Sequence, residues 1–174
     1  MKKNLSKGWN NFTEIPATRD SAPQMFLDYF YPIHFSIGMK IEKGLMECGR
    51  LDRHQTVVMW ILRSEALRTG ETVFSRKDLV RLMTNWYDIT SSTVSKALRA
   101  LAREPLNYIT IVEDPNSGRE KLIEMTPQGK QHCEQMVVSA CKVIARITEH
   151  FSDDENKMGI YMFKRMDEEF SSSP

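Results

Sequence analysis

The sequence predicts a mostly α-helical protein of the α+β class, in which several helices accompany one small antiparallel sheet. Apolar residues recur every three to four positions over most of the chain, which is the spacing of amphipathic helices. Two β-prone segments flank a turn-rich run and predict a hairpin. The chain has 174 residues, 41% of them hydrophobic, and a net charge of +1, which excludes wholesale disorder.

The N-terminal part of the chain predicts an arm followed by a long helix. Residues 1–22 are polar, lack a sustained period and predict a flexible arm. Residues 23–49 carry apolar side chains at steps of four and predict a helix that Pro32 kinks or restarts. The apolar stripe of this helix includes Ile37, Ile41 and Leu45.

The middle of the chain, residues 50–126, predicts a run of shorter elements. A helix over 52–69 precedes a short strand at 72–74, and a second helix begins at a capping-box pattern over 75–78. After a connection over 84–89, Ser and Thr residues mark the start of a helix over 90–103, which Pro105 ends. The hairpin follows over 109–125, around the turn formers of 114–118. A helix-turn-helix followed by a hairpin is a winged-helix module.

The C-terminal residues 127–174 predict two helices, and the first is about 37 Å long. Thr126 and Pro127 mark its start, and a capping box over 152–155 starts the second. Both helices carry apolar stripes, which include Met136, Ala140, Ile144, Met158, Met162 and Met166. These stripes are longer than one small module can cover. We therefore expect residues 23–49 and 127–174 to be dimerisation helices of a symmetric homodimer.

The charge distribution indicates which part of the chain carries the functional surface. Residues 50–103 hold ten basic and five acidic side chains, whereas residues 152–174 hold three basic and six acidic ones. In the helix over 90–103, one side is apolar and the other presents hydroxyls and cations within an arc of about 60°. Such a face suits DNA phosphates and base edges, although a solvated helix face is the alternative. The predicted DNA-binding residues here are Ser92, Thr93, Ser95, Lys96, Arg99 and Arg103.

Two stretches of sequence resemble the MarR family of bacterial winged-helix transcription regulators. SSTVSKALRAL, from Ser91 to Leu101, is similar to the recognition helix of that family. Arg119, followed by LIEMTPQG from Leu122 to Gly129, is similar to its wing arginine, second wing strand and following helix start. The resemblance implies a homodimer that binds double-stranded DNA, with helix 90–103 in the major groove. It also implies that the wing over 109–125 reaches the minor groove through Asn116 and Arg119.

Two alternatives remain open at this point. The first is a winged-helix protein–protein interaction module that has lost DNA binding; the sequence pI of about 7.7 and Ser117, where the family has a wing acid, favour it. The second concerns a small-molecule effector bound by Tyr29, His34 and Trp60. We favour the alternative that these aromatic residues pack the junction between the dimer-forming and DNA-binding parts.

Other classes of function find little support in the sequence. His132 and His150 lie about 27 Å apart on one predicted helix, so they cannot share a metal ion, and we expect surface histidines beside a core Cys133. No catalytic constellation or cofactor motif is recognisable, and no apolar run is long enough to cross a membrane. The sequence therefore predicts a cytoplasmic protein that is not an enzyme and needs no cofactor.

Overall fold

The structure is a computed structural model that describes residues 12–49, 51–87 and 89–172. Its contacts divide the chain into two compact units, the first ending at Lys40 and the second beginning at Ile41. The described residues are mostly helical and include one three-stranded antiparallel sheet, as the sequence predicts. No helix among them is long and apolar enough to cross a membrane.

The first unit is helical after a short 3₁₀ turn at Phe12–Glu14. Helix α1 (Ala22–Pro32) runs into a π-helical segment (Ile33–Gly38), where the Met39 N–H donates to the His34 carbonyl five residues back. The predicted interruption at Pro32 is therefore confirmed, because proline has no N–H for the helical ladder. Residues 1–11 of the predicted arm lie outside the described residues. Exposed apolar side chains of this unit include Phe26, Leu27, Phe30, Tyr31, Ile33 and Phe35.

Helix α2 (Met39–Met46) carries the chain into the second unit, where helix α3 (Arg53–Thr69) follows. A complete capping box between Asp52 and Gln55 starts α3, and Gly70, with a left-handed φ of 79°, ends it. Strand β1 (Val73–Ser75) leads directly into helix α4 (Arg76–Tyr87), and helix α5 (Ser91–Leu101) comes next.

Strands β2 (Ile109–Asp114) and β3 (Ser117–Met125) form the predicted hairpin, which we call the wing. The sheet order is β1-β3-β2, and Ile123 of β3 pairs with Phe74 on one side and Ile111 on the other. Ile123 and the inward faces of the three preceding helices share one core. Its fully buried members include Met59, Leu62, Met83, Leu98, Leu101, Ile109 and Ile123.

The start of helix α6 (Pro127–Thr148) is attached to the base of the wing. The Thr126 hydroxyl donates to the Asn107 carbonyl at 2.7 Å and accepts from the Gly129 N–H at 3.0 Å. The Thr126 N–H donates to the Tyr108 carbonyl at 3.0 Å. A Cβ at position 129 would lie only 2.0 Å from that carbonyl oxygen, so this close approach requires glycine.

Helix α7 (Asp153–Ser172) follows α6, and Ser152 and Glu155 form the predicted capping box at its start. Of the side chains predicted to form the dimer interface, Leu45, Met136 and Ala140 are buried in the core of the second unit. The chain itself therefore covers these three side chains, and α6 packs against α3. Ile144, Met158 and Met162 are exposed, whereas Ile37, Ile41 and Met166 are half-buried.

Two further expectations are corrected by the structure. The connection expected over 84–89 is shorter, because α4 continues as a helix to Tyr87. His132 is buried rather than on the surface, since its ring stacks on Tyr108 with 4.6 Å between ring centroids. The Cys133 thiol beside it is buried as predicted.

Candidate nucleic-acid interface

Helix α5 is positioned by its apolar face and by its N-terminal cap. Val94, Leu98 and Leu101 are buried against the core, and α5 contacts both α3 and α4. The Thr90 hydroxyl accepts the Thr93 N–H at 3.3 Å and so satisfies one of the free amides of the first turn. Because the buried face cannot turn outward without exposing the core, the opposite face is fixed toward solvent.

The outward face of α5 presents the cations that the sequence predicts. Lys96, Arg99 and, just beyond the helix, Arg103 are exposed, and none makes an ion pair or side-chain hydrogen bond with a described residue. The hydroxyls of Ser92 and Thr93 lie 3.1 and 3.0 Å from the Thr90 hydroxyl and form a small cluster at the helix start. The face therefore combines exposed cations with a hydroxyl-rich N-terminus, a combination suited to phosphates and base edges.

Ser95 differs from the other predicted residues because its hydroxyl is engaged within the protein. It donates to the Ser91 carbonyl at 2.8 Å and accepts from Nη2 of Arg76, also at 2.8 Å. Arg76 is half-buried at the first position of α4, and the sequence reasoning missed it. The periodicity of a single helix holds no signal for a contact between side chains 19 residues apart.

The wing presents its two predicted residues at and beside the hairpin turn. Asn116 and Arg119 are exposed, and Arg119 makes no ion pair with a described residue. An Asp114 carboxylate oxygen accepts the Asn116 N–H at 2.8 Å, at an irregularity in the strand register between Glu113 and Asp114. Asp114 thus stabilises the turn of the wing. Position 117, where the family that the sequence resembles has an acid, is a serine.

A charged cluster at the other end of α4 connects three helices of the second unit. Arg53 at the start of α3 donates from both Nε and Nη2 to the Glu42 carboxylate of α2. Its guanidinium also lies 5.7 Å from the ring centroid of Tyr87, at the end of α4. Burial, and next the Glu42 charge, raise the pKa of the Tyr87 phenol, against a lowering by Arg53. The cluster helps to hold the end of α4, from which the chain passes to α5.

The residues considered for an effector site belong to both units. His34 stacks on Phe30 within the first unit at 5.3 Å between ring centroids, and Tyr29 is half-buried there. Trp60 of the second unit is half-buried and lies 5.1 Å from the Arg63 guanidinium.

The cysteines and histidines show no metal site in the described part of the chain, where no three His, Cys, Asp or Glu side chains cluster suitably. Burial raises the pKa of the Cys133 thiol to about 11, so this thiol stays protonated at neutral pH. Cys141 is exposed and Cys48 is half-buried.

Comparison with known proteins agrees with the winged-helix arrangement seen in the structure. Residues 51–129 match the family model of the winged helix DNA-binding domain. No curated protein matches the chain. Among solved structures, wild-type MarR from E. coli aligns with a TM-score of 0.59 at 16% identity, over 79% of this chain and 95% of that one.

Two further structures align over most of the chain. A mutant MarR from E. coli, complexed with operator DNA, gives a TM-score of 0.56 at 13% identity, covering 86% of this chain and 99% of that one. The transcriptional regulator BldR from Sulfolobus solfataricus gives 0.58 at 16% identity, with the same coverage. At these identities the likeness concerns the fold. Residues 51–129 therefore match a winged helix DNA-binding domain, and the chain has the fold of the MarR regulators.

Proposed function

We propose that the protein is a dimeric, sequence-specific DNA-binding transcription regulator. In this proposal the recognition helix, residues 90–103, enters the major groove and the wing, residues 109–125, reaches the adjacent minor groove. The observation that carries the proposal is the outward face of α5, where Lys96 and Arg99 are exposed and form no ion pair with a described residue, opposite a fully buried apolar face. In this proposal the protein acts in the cytoplasm.

The recognition-helix cations have separable tasks. Lys96 and Arg99 are three residues apart and therefore project side by side from α5. A guanidinium can bond O6 and N7 of guanine together, whereas an ammonium acts as a point charge on a base or phosphate. We assign base reading to at least one of the two. Arg103 and the hydroxyls of Ser92 and Thr93 lie at the two ends of the helix, where they can reach phosphates.

The wing arginine reads the DNA through its shape. Arg119 is exposed on β3 beside the hairpin turn and has no acidic partner among the described residues. A narrow A·T-rich minor groove has an enhanced negative potential and attracts such a guanidinium. Loss of Arg119 should therefore weaken binding and flatten its dependence on salt.

Dimerisation is supported by apolar surface that the single chain leaves open. In α7 the exposed apolar side chains include Met158, Ile160, Tyr161, Met162 and Phe163. The first unit exposes a second group in α1 and the π-helical segment, with Phe26 61% and Tyr31 69% exposed. Exposed groups of large apolar side chains mark interaction sites, and a two-fold partner would cover each of these two groups. The two recognition helices of the dimer should then be spaced for successive major grooves, about 34 Å apart.

The experiment that tests the proposal begins with selection of a duplex by the full-length protein from a randomised library. Fluorescence polarisation then compares wild type with Lys96→Ala, Arg99→Ala and Arg119→Ala on the selected and a scrambled duplex. Loss of a base-reading side chain should cost about 1–3 kcal/mol and relax the preference at one position. Lys142→Ala, which removes an exposed cation of α6, is the matched control and should bind like wild type.

Two results would contradict the proposal. If no duplex is selected, or if all three variants bind like wild type with unchanged salt dependence, the winged-helix face does not read DNA. The protein–protein interaction module is then the better hypothesis. Light scattering tests the dimer separately, since the chain has a mass of 20.2 kDa and the dimer twice that.

A further inference from the structure

The half-buried guanidinium of Arg76 joins the first helix of the helix-turn-helix to the recognition helix. Its Nη2 donates to the Ser95 hydroxyl at 2.8 Å, and that hydroxyl donates onward to the Ser91 carbonyl at 2.8 Å. The chain of hydrogen bonds runs from the first residue of α4 to the first residue of α5. We call it the Arg76–Ser95 clamp.

The placement of Arg76 is electrostatically unusual. It occupies the first position of α4, where the free N–H groups and the helix dipole make the local potential positive. No described carboxylate forms an ion pair with it, because Asp78 of the same helix turn pairs with Arg81 at 3.1 Å. A cation at a positive helix end, partly withdrawn from water and without an acid, lacks the anion that would stabilise it.

The guanidinium also keeps most of its hydrogen-bonding capacity. It has five N–H donors, and among the described residues only the Ser95 hydroxyl accepts one of them. The remaining donors lie beside the recognition helix, whose outward face is the proposed DNA-binding surface. Phosphate oxygens accept in pairs from a guanidinium, which makes a phosphate the ligand that fits these donors.

We propose that Arg76 is a phosphate anchor, and that its clamp on Ser95 sets the position of the recognition helix relative to the bound DNA backbone. The inference rests on the proposed function and adds a residue that positions base reading without reading a base. Ser95 then acts within the protein, as the acceptor of the clamp, and does not contact DNA. One guanidinium thus connects a sequence-independent contact to the orientation of the helix that reads sequence.

Three substitutions separate the two roles of the clamp. Arg76→Met removes the charge and keeps an apolar stem, Arg76→Lys keeps the charge, and Ser95→Ala removes the acceptor while the charge stays. Arg81→Met is the matched control, because it removes a cation from the same helix about 140° around its axis. Affinity is measured by polarisation on the selected and scrambled duplexes between about 50 and 200 mM KCl.

The two roles predict different responses to salt. Arg76→Met should weaken binding to both duplexes about tenfold, and the slope of log K against log[salt] should become shallower by about 0.9. Arg76→Lys should keep the wild-type slope. Ser95→Ala should keep the slope and lose affinity several-fold on the selected duplex, with a smaller loss on the scrambled one. Arg81→Met should match wild type on both.

Three results would overturn the inference. If Arg76→Met keeps the wild-type slope while wild type selects a duplex, Arg76 is only structural and the proposed function stands. If Arg81→Met flattens the slope as much as Arg76→Met, the effect is one of general charge and the anchor is wrong. Failure of wild type to select any duplex would overturn the proposed function together with the anchor. Circular dichroism melting of each variant shows that the fold is intact, and Arg76→Lys and Ser95→Ala keep the test valid where Arg76→Met is poorly folded.

Discussion

Gly129→Ala probes the junction between the wing and helix α6. Position 129 lies in the first turn of α6, where an added Cβ would meet the Tyr108 carbonyl oxygen at 2.0 Å and the carbonyl carbon at 2.9 Å. Both neighbours are backbone atoms, so no side-chain rotation relieves the contact. Either α6 or the segment before β2 has to move.

The size of the effect follows from what such a movement breaks. Overpacking in a well-packed core costs about 1–3 kcal/mol. The Thr126 bonds to the Tyr108 and Asn107 carbonyls, at 3.0 and 2.7 Å, would lengthen and add about 1 kcal/mol each. The better helix propensity of alanine returns about 1 kcal/mol. The net expectation is a loss of about 2–4 kcal/mol, or roughly 5–15 °C in Tm for a chain of this size.

Gly159→Ala is the matched control, because it makes the same chemical change inside a helix with no atom within 4 Å of the new Cβ. Helix propensity then acts alone and should stabilise α7 by up to about 1 kcal/mol. Urea and thermal unfolding of both variants, followed by circular dichroism, measure the difference, and light scattering checks that assembly is unchanged. Equal stability of the two variants would refute the close approach at Tyr108.

Three other predictions address single groups. Cys141, which is exposed, should react with a thiol reagent at about pH 8 well before Cys133, because burial raises the pKa of the Cys133 thiol to about 11. Mass spectrometry locates the label. Equal reaction rates of the two cysteines would contradict the burial of Cys133. Asp52→Ala should lower the free energy of unfolding by about 1 kcal/mol by removing the cap of α3, and Asp52→Asn should retain most of it, as urea titration can measure. Hydrogen bonds from the backbone N–H and hydroxyl of Ser152 lower the pKa of Glu155. The Glu155 carboxylate therefore stabilises α7 at pH values above the ordinary carboxyl pKa, and this stabilisation is lost as the pH falls through the lowered pKa. NMR titration should show this pKa rising in Ser152→Ala, and an unchanged value would disprove the capping contact.

The fold was predictable where local chemistry and burial agree. Thr90 and Thr126 cap helices that also have continuous apolar faces, so both starts were found within one or two residues. The end of α4 was missed because Asn85 and the aromatic pair after it resemble a turn, and asparagine is a weak helix former. In the structure, the half-buried Tyr87 lies beside Arg53 of α3, and a tertiary contact of this kind overrides local propensity.

Neither the burial along α6 nor the clamp at Arg76 could be predicted from periodicity, because both depend on tertiary contacts. The stripe through Met136 and Ala140 is visible in the sequence, but whether another part of the same chain covers it depends on where α2 and α3 lie. His132 looked like a surface residue until the Tyr108 ring, from the segment before β2, was placed against it. The exposed cations of α5 were predictable, because they depend only on which face of one amphipathic helix is buried.

The near-neutral charge of the whole chain does not weigh against DNA binding. At physiological ionic strength the Debye length is about 8 Å, so a phosphate at α5 responds mainly to the charges beside it and little to the net charge of the chain. Ten of the 24 lysine and arginine residues lie between 50 and 103, and several carboxylates of this region are already paired, such as Glu65 with Arg68 and Asp78 with Arg81. Among the residues that the structure describes, the cations at 76, 96 and 99 form no ion pair and therefore dominate the local potential. The slope of log K against log[salt] should therefore reflect the number of these few contacts with phosphates. The net charge of the chain should predict that slope poorly.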